Sequence, residues 1–136
     1  MLSPTAVTIR LTLHVLAATV WVGGQFVLGG LVRPLRELSL EGPRVAARYF
    51  NRLAWPAFAV LVATGVWNLV AVHVADASAA YLVTVMVKLL VVAASGIGAF
   101  VHTQAAGNRL ALALGGSLAG LGGIVALFLG VLLHAR

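Results

Sequence analysis

Four long apolar stretches organise this chain, at residues 11–32, 53–74, 81–101 and 110–133. Each reaches the length a membrane-crossing helix needs, about 20 residues. A soluble amphipathic helix shows its apolar residues as a stripe, and a barrel strand alternates with period two; neither pattern runs through these stretches. The pattern predicts an all-α fold: an integral membrane, up-down-up-down four-helix bundle in a single transmembrane domain over residues 1–136. The first stretch reads as helix 1 and not as a secretory leader. It is too long for a leader's apolar region, and Trp21, Gln25 and Arg33 stand where small cleavage-site residues belong.

Composition strengthens this picture. The chain is 62% hydrophobic and 9% charged, where soluble domains carry about 25% charged residues, and its mean hydropathy is +1.08. Too little polar surface exists to cover a water-facing globule, so a lipid bilayer is the expected partner. The absence of cysteine excludes disulfides, iron–sulfur clusters and thiolate metal sites. A net charge of +6 raises nucleic acid as a partner, but the charges collect in the short connections, and no nucleic-acid binding is expected.

The connection from Arg33 to Arg52 holds Arg33, Arg36, Arg44, Arg48 and Arg52 against Glu37 and Glu41, and the third connection adds Arg109. Arg10, Asp76 and Arg136 lie at the other side. Cytoplasmic loops collect Lys and Arg, which predicts a multi-pass protein of the plasma (inner) membrane with both termini extracytoplasmic. Residues 43–52 read as a short amphipathic helix entering span 2, with its basic side chains at anionic headgroups. Span 4 is glycine-rich, and Gly116 with Gly120 forms a GxxxG pair. Such a pair lets helix backbones approach closely, either against helix 1 or helix 3 of the same chain or as the seam of a homodimer.

Ionisable and polar residues inside the spans carry the chemistry, because each costs about 2.5–3.5 kcal/mol at a helix centre and must turn inward. At helical periodicity Arg10, His14, Trp21 and Gln25 share one stripe of helix 1. Thr64 and Asn68 share a face of helix 2, and Tyr81, Thr84, Lys88, Ser95 and His102 share a stripe of helix 3. The three stripes are expected to face one another, with His14 and Lys88 level within about one helical turn in the extracytoplasmic half. Lys88, the sole lysine, reads either as a snorkelling side chain or as the counter-ion of an anionic group. His14 reads either as a hydrogen-bonded packing residue or as a ligand to a metal or haem iron. His73 and His134 fall at helix ends on the same membrane side, as interfacial residues or as metal ligands; His102 lies at the cytoplasmic end. Trp21 packs in the core or stacks on a planar ligand, while Trp55 and Trp67 suit interfacial belts.

These residues support a resemblance. LHVLAATVWVGGQFVLGGLVRPLRE resembles the first helix of the CopD (copper resistance D) family, with its His and then Trp-x-Gly-Gly seven residues on. ARYFNRLAWPAFAVLVATGVWNL resembles the next helix, with a basic-aromatic start and Thr-Gly near its middle. YLVTVMVKLLVVAASGIGAFVHTQ resembles that family's Lys-Leu-Leu helix. The pattern is also similar to the HemJ-type protoporphyrinogen oxidases, in which a first-helix His and a third-helix Lys are linked to haem or porphyrin; His14 and Lys88 match those positions. The HemJ Tyr-Leu-Pro-Arg segment after the tryptophan is absent here.

The CopD resemblance implies copper uptake or tolerance, and the HemJ resemblance implies haem or porphyrin. Cu(I) prefers soft thiolate and thioether ligands, which this chain barely offers, and a cationic Lys88 at the same level would repel a metal ion. Haem b fits better: its iron accepts an axial His, and its propionates suit Lys88 and Arg10. The expected cofactor-binding residues are His14, Lys88, Arg10, Trp21, Gln25 and Ser95. The copper alternative uses His14, His73 and His134 as metal ligands, and a third reading is a cofactor-free structural or assembly subunit of a larger membrane complex. No nucleophile–base pair, carboxylate dyad or phosphate loop is visible, so hydrolytic or transferase chemistry is not expected; an enzyme is not favoured, and the enzymatic alternative is a haem-linked oxidoreductase.

Overall fold

A computed structural model describes residues 3–72 and 77–135. His73, Asp76 and Arg136, all singled out in the sequence, lie outside the described residues. Among the described residues the chain is all-helical, with four helices long and apolar enough to cross a membrane. They are α1 (Ala6–Leu38), α2 (Gly42–Ala71), α3 (Ala79–Gln104) and α4 (Arg109–His134). Three of the four helices start on a side-chain oxygen that satisfies otherwise orphaned backbone N–H groups. Thr5 accepts from Thr8 N at 3.2 Å, Ser78 from Tyr81 N at 3.3 Å, and Asn108 from Leu110 N and Ala111 N at 3.0 and 3.1 Å. Pro43 opens α2, where its missing N–H costs nothing.

The first two helices run further than hydropathy predicts. The apolar pattern places a connection over residues 33–52 with a short amphipathic helix at 43–52 entering span 2; the structure carries α1 to Leu38 and merges that short helix with the span, as one continuous 30-residue α2 from Gly42. At about 1.5 Å per residue, α1 is about 50 Å long and α2 about 45 Å, against a hydrocarbon layer of about 30 Å. Backbone hydrogen bonds continue a helix regardless of what its side chains face, so the arginine-bearing turns are the same helices emerging from the apolar zone. A tight turn over Ser39–Glu41 joins them. A Cβ on Gly42 would stand 2.5 Å from the Leu35 carbonyl oxygen, so only glycine fits that corner. Arg33 pairs with Glu37 and Arg44 with Glu41 on exposed faces.

The surface is the inverse of a soluble protein's. Large apolar side chains such as Val15, Leu90 and Phe128 are exposed, while the buried positions are mostly small or polar, among them Ala17, Ala54, Thr64, Ser95 and Ala119. This is the arrangement of a multi-pass membrane protein in lipid, where large side chains lie in the hydrocarbon and small ones let backbones meet.

The chain divides into two compact units, Met1–His73 and Val74–Arg136. In the first, α1 and α2 form an antiparallel hairpin whose cross-helix contacts run from Arg10–Trp67 at one end to Gly24–Phe50 at the other. In the second, α3 and α4 form an antiparallel hairpin closed by small residues. A Cβ on Gly98 would lie 2.7 Å from Ala119 N and 2.8 Å from Gly115 O, and one on Gly122 would lie 3.1 Å from the Ser95 Cβ. The seam therefore uses Gly115, Ala119 and Gly122, all buried, and packs α4 against α3 within the same chain. Gly116 of the GxxxG pair serves a different contact. It seats the His102 ring, with Nδ1 3.0 Å from where its Cβ would be.

The atoms facing Gly98 are two backbone atoms and the Leu118 Cβ, which is fixed to the backbone, so they cannot swing away. Gly98→Ala is expected to lower the thermal stability of the detergent-solubilised protein by about 1–3 kcal/mol, the usual cost of overpacking. Gly29→Ala, which meets nothing within 4 Å, is expected to leave the melting temperature level or higher. Equal melting curves for the two variants would contradict this seam.

Candidate functional site

The polar stripe of α1 meets the polar face of α2 inside the first hairpin. Arg10, Ala17 and Trp21 are buried at spacings of seven and four, and His14 lies half-buried on the same stripe. Thr64, 5% exposed, is the buried polar residue opposite. His14 Nδ1 and Thr64 Oγ1 are 2.8 Å apart. The threonine hydroxyl in turn donates to the Val60 carbonyl at 2.6 Å, with the Leu61 carbonyl at 3.2 Å. Such back-bonding to the preceding turn is the ordinary way a helix absorbs a hydroxyl in lipid. Gly65 comes next, and a Cβ there would sit 3.6 Å from His14 Cε1, an ordinary contact.

About one turn nearer the start of α1, the Arg10 guanidinium stacks over Trp67, with Cζ 5.8 Å from the ring centroid. Arg10 is 8% exposed, and its Nε has no hydrogen-bond partner among the described residues. A buried N–H without an acceptor costs about 1–3 kcal/mol, and more on a charged group. The first hairpin thus holds, at successive levels, a cation with an unused donor and an imidazole held by a threonine.

Deeper along α1, Trp21 packs rather than lining an open face. It is 2% exposed and stands 4.4 Å from Phe58 and 5.6 Å from Trp55 between ring centroids. Trp55, expected in an interfacial belt, belongs to this aromatic cluster. The helix around Trp21 is widened into a π turn over Thr19–Gly23. Thr19 Oγ1 donates to the Val15 carbonyl at 2.9 Å and Gln25 Nε2 to the Trp21 carbonyl at 2.8 Å, so the Gln25 amide donor is engaged with α1's own backbone. Gly24 follows because the Phe50 ring of α2 fills the place a side chain would take. The Trp-x-Gly-Gly of α1 and the aromatic start of α2 are therefore two halves of one contact.

The α3 stripe is described by its contacts to α4. Ser95, 1% exposed, donates to the Ala119 carbonyl at 2.8 Å. His102 Nδ1 donates to the Leu112 carbonyl at 2.8 Å, and Thr84 to its own helix at Ala80. Lys88 reaches across to the backbone at Gly130, with Nζ 3.0 Å from the position of a Cβ there. His134 Nδ1 donates to the Gly130 carbonyl at 3.0 Å. His73, the remaining residue of the copper alternative, is outside the described residues, and among those described no three His, Asp or Glu side chains gather.

Comparisons with family models, curated proteins and solved structures give no match.

Sequence reasoning missed Thr64 as the residue that holds His14, and missed the π turn. Both carried a signal: a threonine on a polar helical face at the level of His14, and a threonine four residues from a Gly-Gly pair.

Replacing Arg10 by methionine removes a buried donor that has no partner among the described residues while still covering Trp67. The cation–π contact it loses is worth about 0.5–2 kcal/mol, no more than the burial penalty it relieves. Arg10→Met is expected to leave the melting temperature of the ligand-free protein unchanged or raised; a drop of several degrees would mean that the guanidinium is already satisfied.

Proposed function

We propose that this chain is a CopD-like membrane protein that holds haem b, or a related porphyrin, through His14 and takes part in redox or haem handling. One observation carries the reading: an imidazole fixed by Thr64 stands about one turn from a buried guanidinium whose Nε has no partner among the described residues. A metalloporphyrin carries a Lewis-acidic iron that takes an axial imidazole, and carboxylates that take charge-assisted hydrogen bonds. His14 would ligate the iron, and Arg10 would receive a propionate. When bound, the group supplies one-electron chemistry; the chain supplies the ligand, the counter-charge and a water-poor surrounding. Copper is less well supported, because it needs several ligands together and among the described residues no three His, Asp or Glu side chains gather.

The basic ends of α1 and α2 support an orientation in the plasma membrane with the Arg33–Arg52 end cytoplasmic and both termini outside. His14 then lies in the extracytoplasmic half.

Purification in mild detergent with an absorption spectrum tests the reading. A Soret band that disappears in His14→Ala is expected. Arg10→Gln is expected to weaken haem binding by about tenfold to a hundredfold, the loss of one charge-assisted hydrogen bond. A protein that stays colourless after incubation with haem, or a band indifferent to His14, removes the proposal. Orientation is checked separately in this cysteine-free chain: a membrane-impermeant thiol reagent applied to intact cells is expected to label Ser3→Cys and to spare Ser39→Cys, and the reverse pattern inverts the topology.

A further inference from the structure

The contact between His14 and Thr64 contains more information than its length. A threonine hydroxyl has one proton and two acceptor lone pairs. That proton is committed to the Val60 carbonyl at 2.6 Å, the shortest of the three hydrogen bonds at this residue. The oxygen can therefore meet His14 Nδ1, 2.8 Å away, only as an acceptor. The imidazole must be the donor. From this we infer that Thr64 is a positioning residue: it holds the proton of His14 on Nδ1 and so sets the ring's tautomer, with the lone pair on Nε2.

The direction of the relay follows from lipid. In water a threonine hydroxyl can turn its proton towards either neighbour, but in a span the helix carbonyl of the preceding turn is always within reach and has no competing solvent donor. The hydroxyl is thereby locked, and the imidazole with it. A hydroxyl on Nδ1 polarises the ring less than a carboxylate there would; the carboxylate would make it a more electron-rich ligand. The ligand class this suits is a soft or borderline metal centre presented on one face, as in a metalloporphyrin. Gly65 supports the same arrangement. Its missing side chain borders Cε1, the carbon joining the two nitrogens, at 3.6 Å, so alanine fits there and a larger residue presses on the ring.

The role of His14 as a ligand rests on the proposed function, but the position of its proton does not, and one set of samples separates the two. Nitrogen-15 spectra of the histidine rings in the full-length protein in nanodiscs, without added haem, report which nitrogen is protonated, with His14→Gln identifying the signals. Wild type is expected to show Nδ1 as the protonated, pyrrole-type nitrogen and Nε2 as the pyridine-type one. Thr64→Ser keeps the acceptor and is expected to retain this pattern, whereas Thr64→Val keeps the shape and is expected to lose it, with the proton moving to Nε2. With haem added, Thr64→Val is expected to shift the Soret band and lower affinity while Thr64→Ser restores both. A wild-type ring protonated on Nε2 alone overturns the inference whatever the variants do, and so does a Thr64→Val spectrum identical to wild type. The Nδ1–H pattern without any haem binding would leave the relay standing and remove the haem reading.

Discussion

Hydrocarbon offers no water to accept a hydrogen bond, and that single constraint orders nearly every polar contact in this chain. Thr19, Gln25, Thr64, Thr84, Ser95, His102 and His134 all donate to main-chain carbonyls. Each carbonyl has a second lone pair beyond the one used by its helix, so a span can absorb a hydroxyl, amide or imidazole without unwinding. Two groups in the first hairpin depart from this pattern. His14 Nδ1 ends on a side chain, and Arg10 Nε ends on nothing among the described residues. Those departures distinguish a candidate site from general satisfaction of polar groups, and they occur on one stripe about a turn apart.

The same constraint weakens the usual force that packs helices. Lipid tails are as apolar as leucine, so burying leucine gains little, and association depends on how closely backbones and rings can fit. The two hairpins meet this differently. The second brings backbone to backbone at Gly98, Gly115 and Gly122, with Ser95 donating across the seam. The first interlocks aromatics with gaps: Phe50 occupies the space beside Gly24, and Trp21 packs between Trp55 and Phe58. A glycine seam brings the two backbones close, whereas an aromatic interlock holds them apart on bulky rings. The wider spacing leaves room for polar side chains of intermediate size between the helices, and Arg10, His14 and Thr64 occupy it.

The π turn over Thr19–Gly23 connects these two features of the first hairpin. Inserting a residue's worth of rotation shifts the face that α1 presents on either side of Trp21. On its N-terminal side Arg10 and His14 address α2 with polar groups; on its C-terminal side Gly24 addresses Phe50 with none. The arginine-rich turns beyond continue as helix past the apolar zone, so the basic rim is carried rigidly on α1 and α2 and not on a free loop.

Much of the architecture was legible in residue order alone. Four apolar runs of sufficient length leave helices as the solution that satisfies every backbone group, and periodicity alone put Arg10 with His14 and Thr64 with Asn68 on their respective faces. What order along the chain could not carry was anything depending on distance across it. Which glycines close the α3–α4 seam, where α1 widens, and that Trp55 joins the Trp21 cluster all turn on contacts between residues far apart in sequence. The helices run past the apolar stretches for a related reason, since hydropathy reports where lipid is and hydrogen bonding decides where a helix stops. The tertiary structure alone decided the proton on His14. A side chain's tautomer is set by whichever atom stands within hydrogen-bond reach, and Thr64 arrives there fifty residues later by way of a fold.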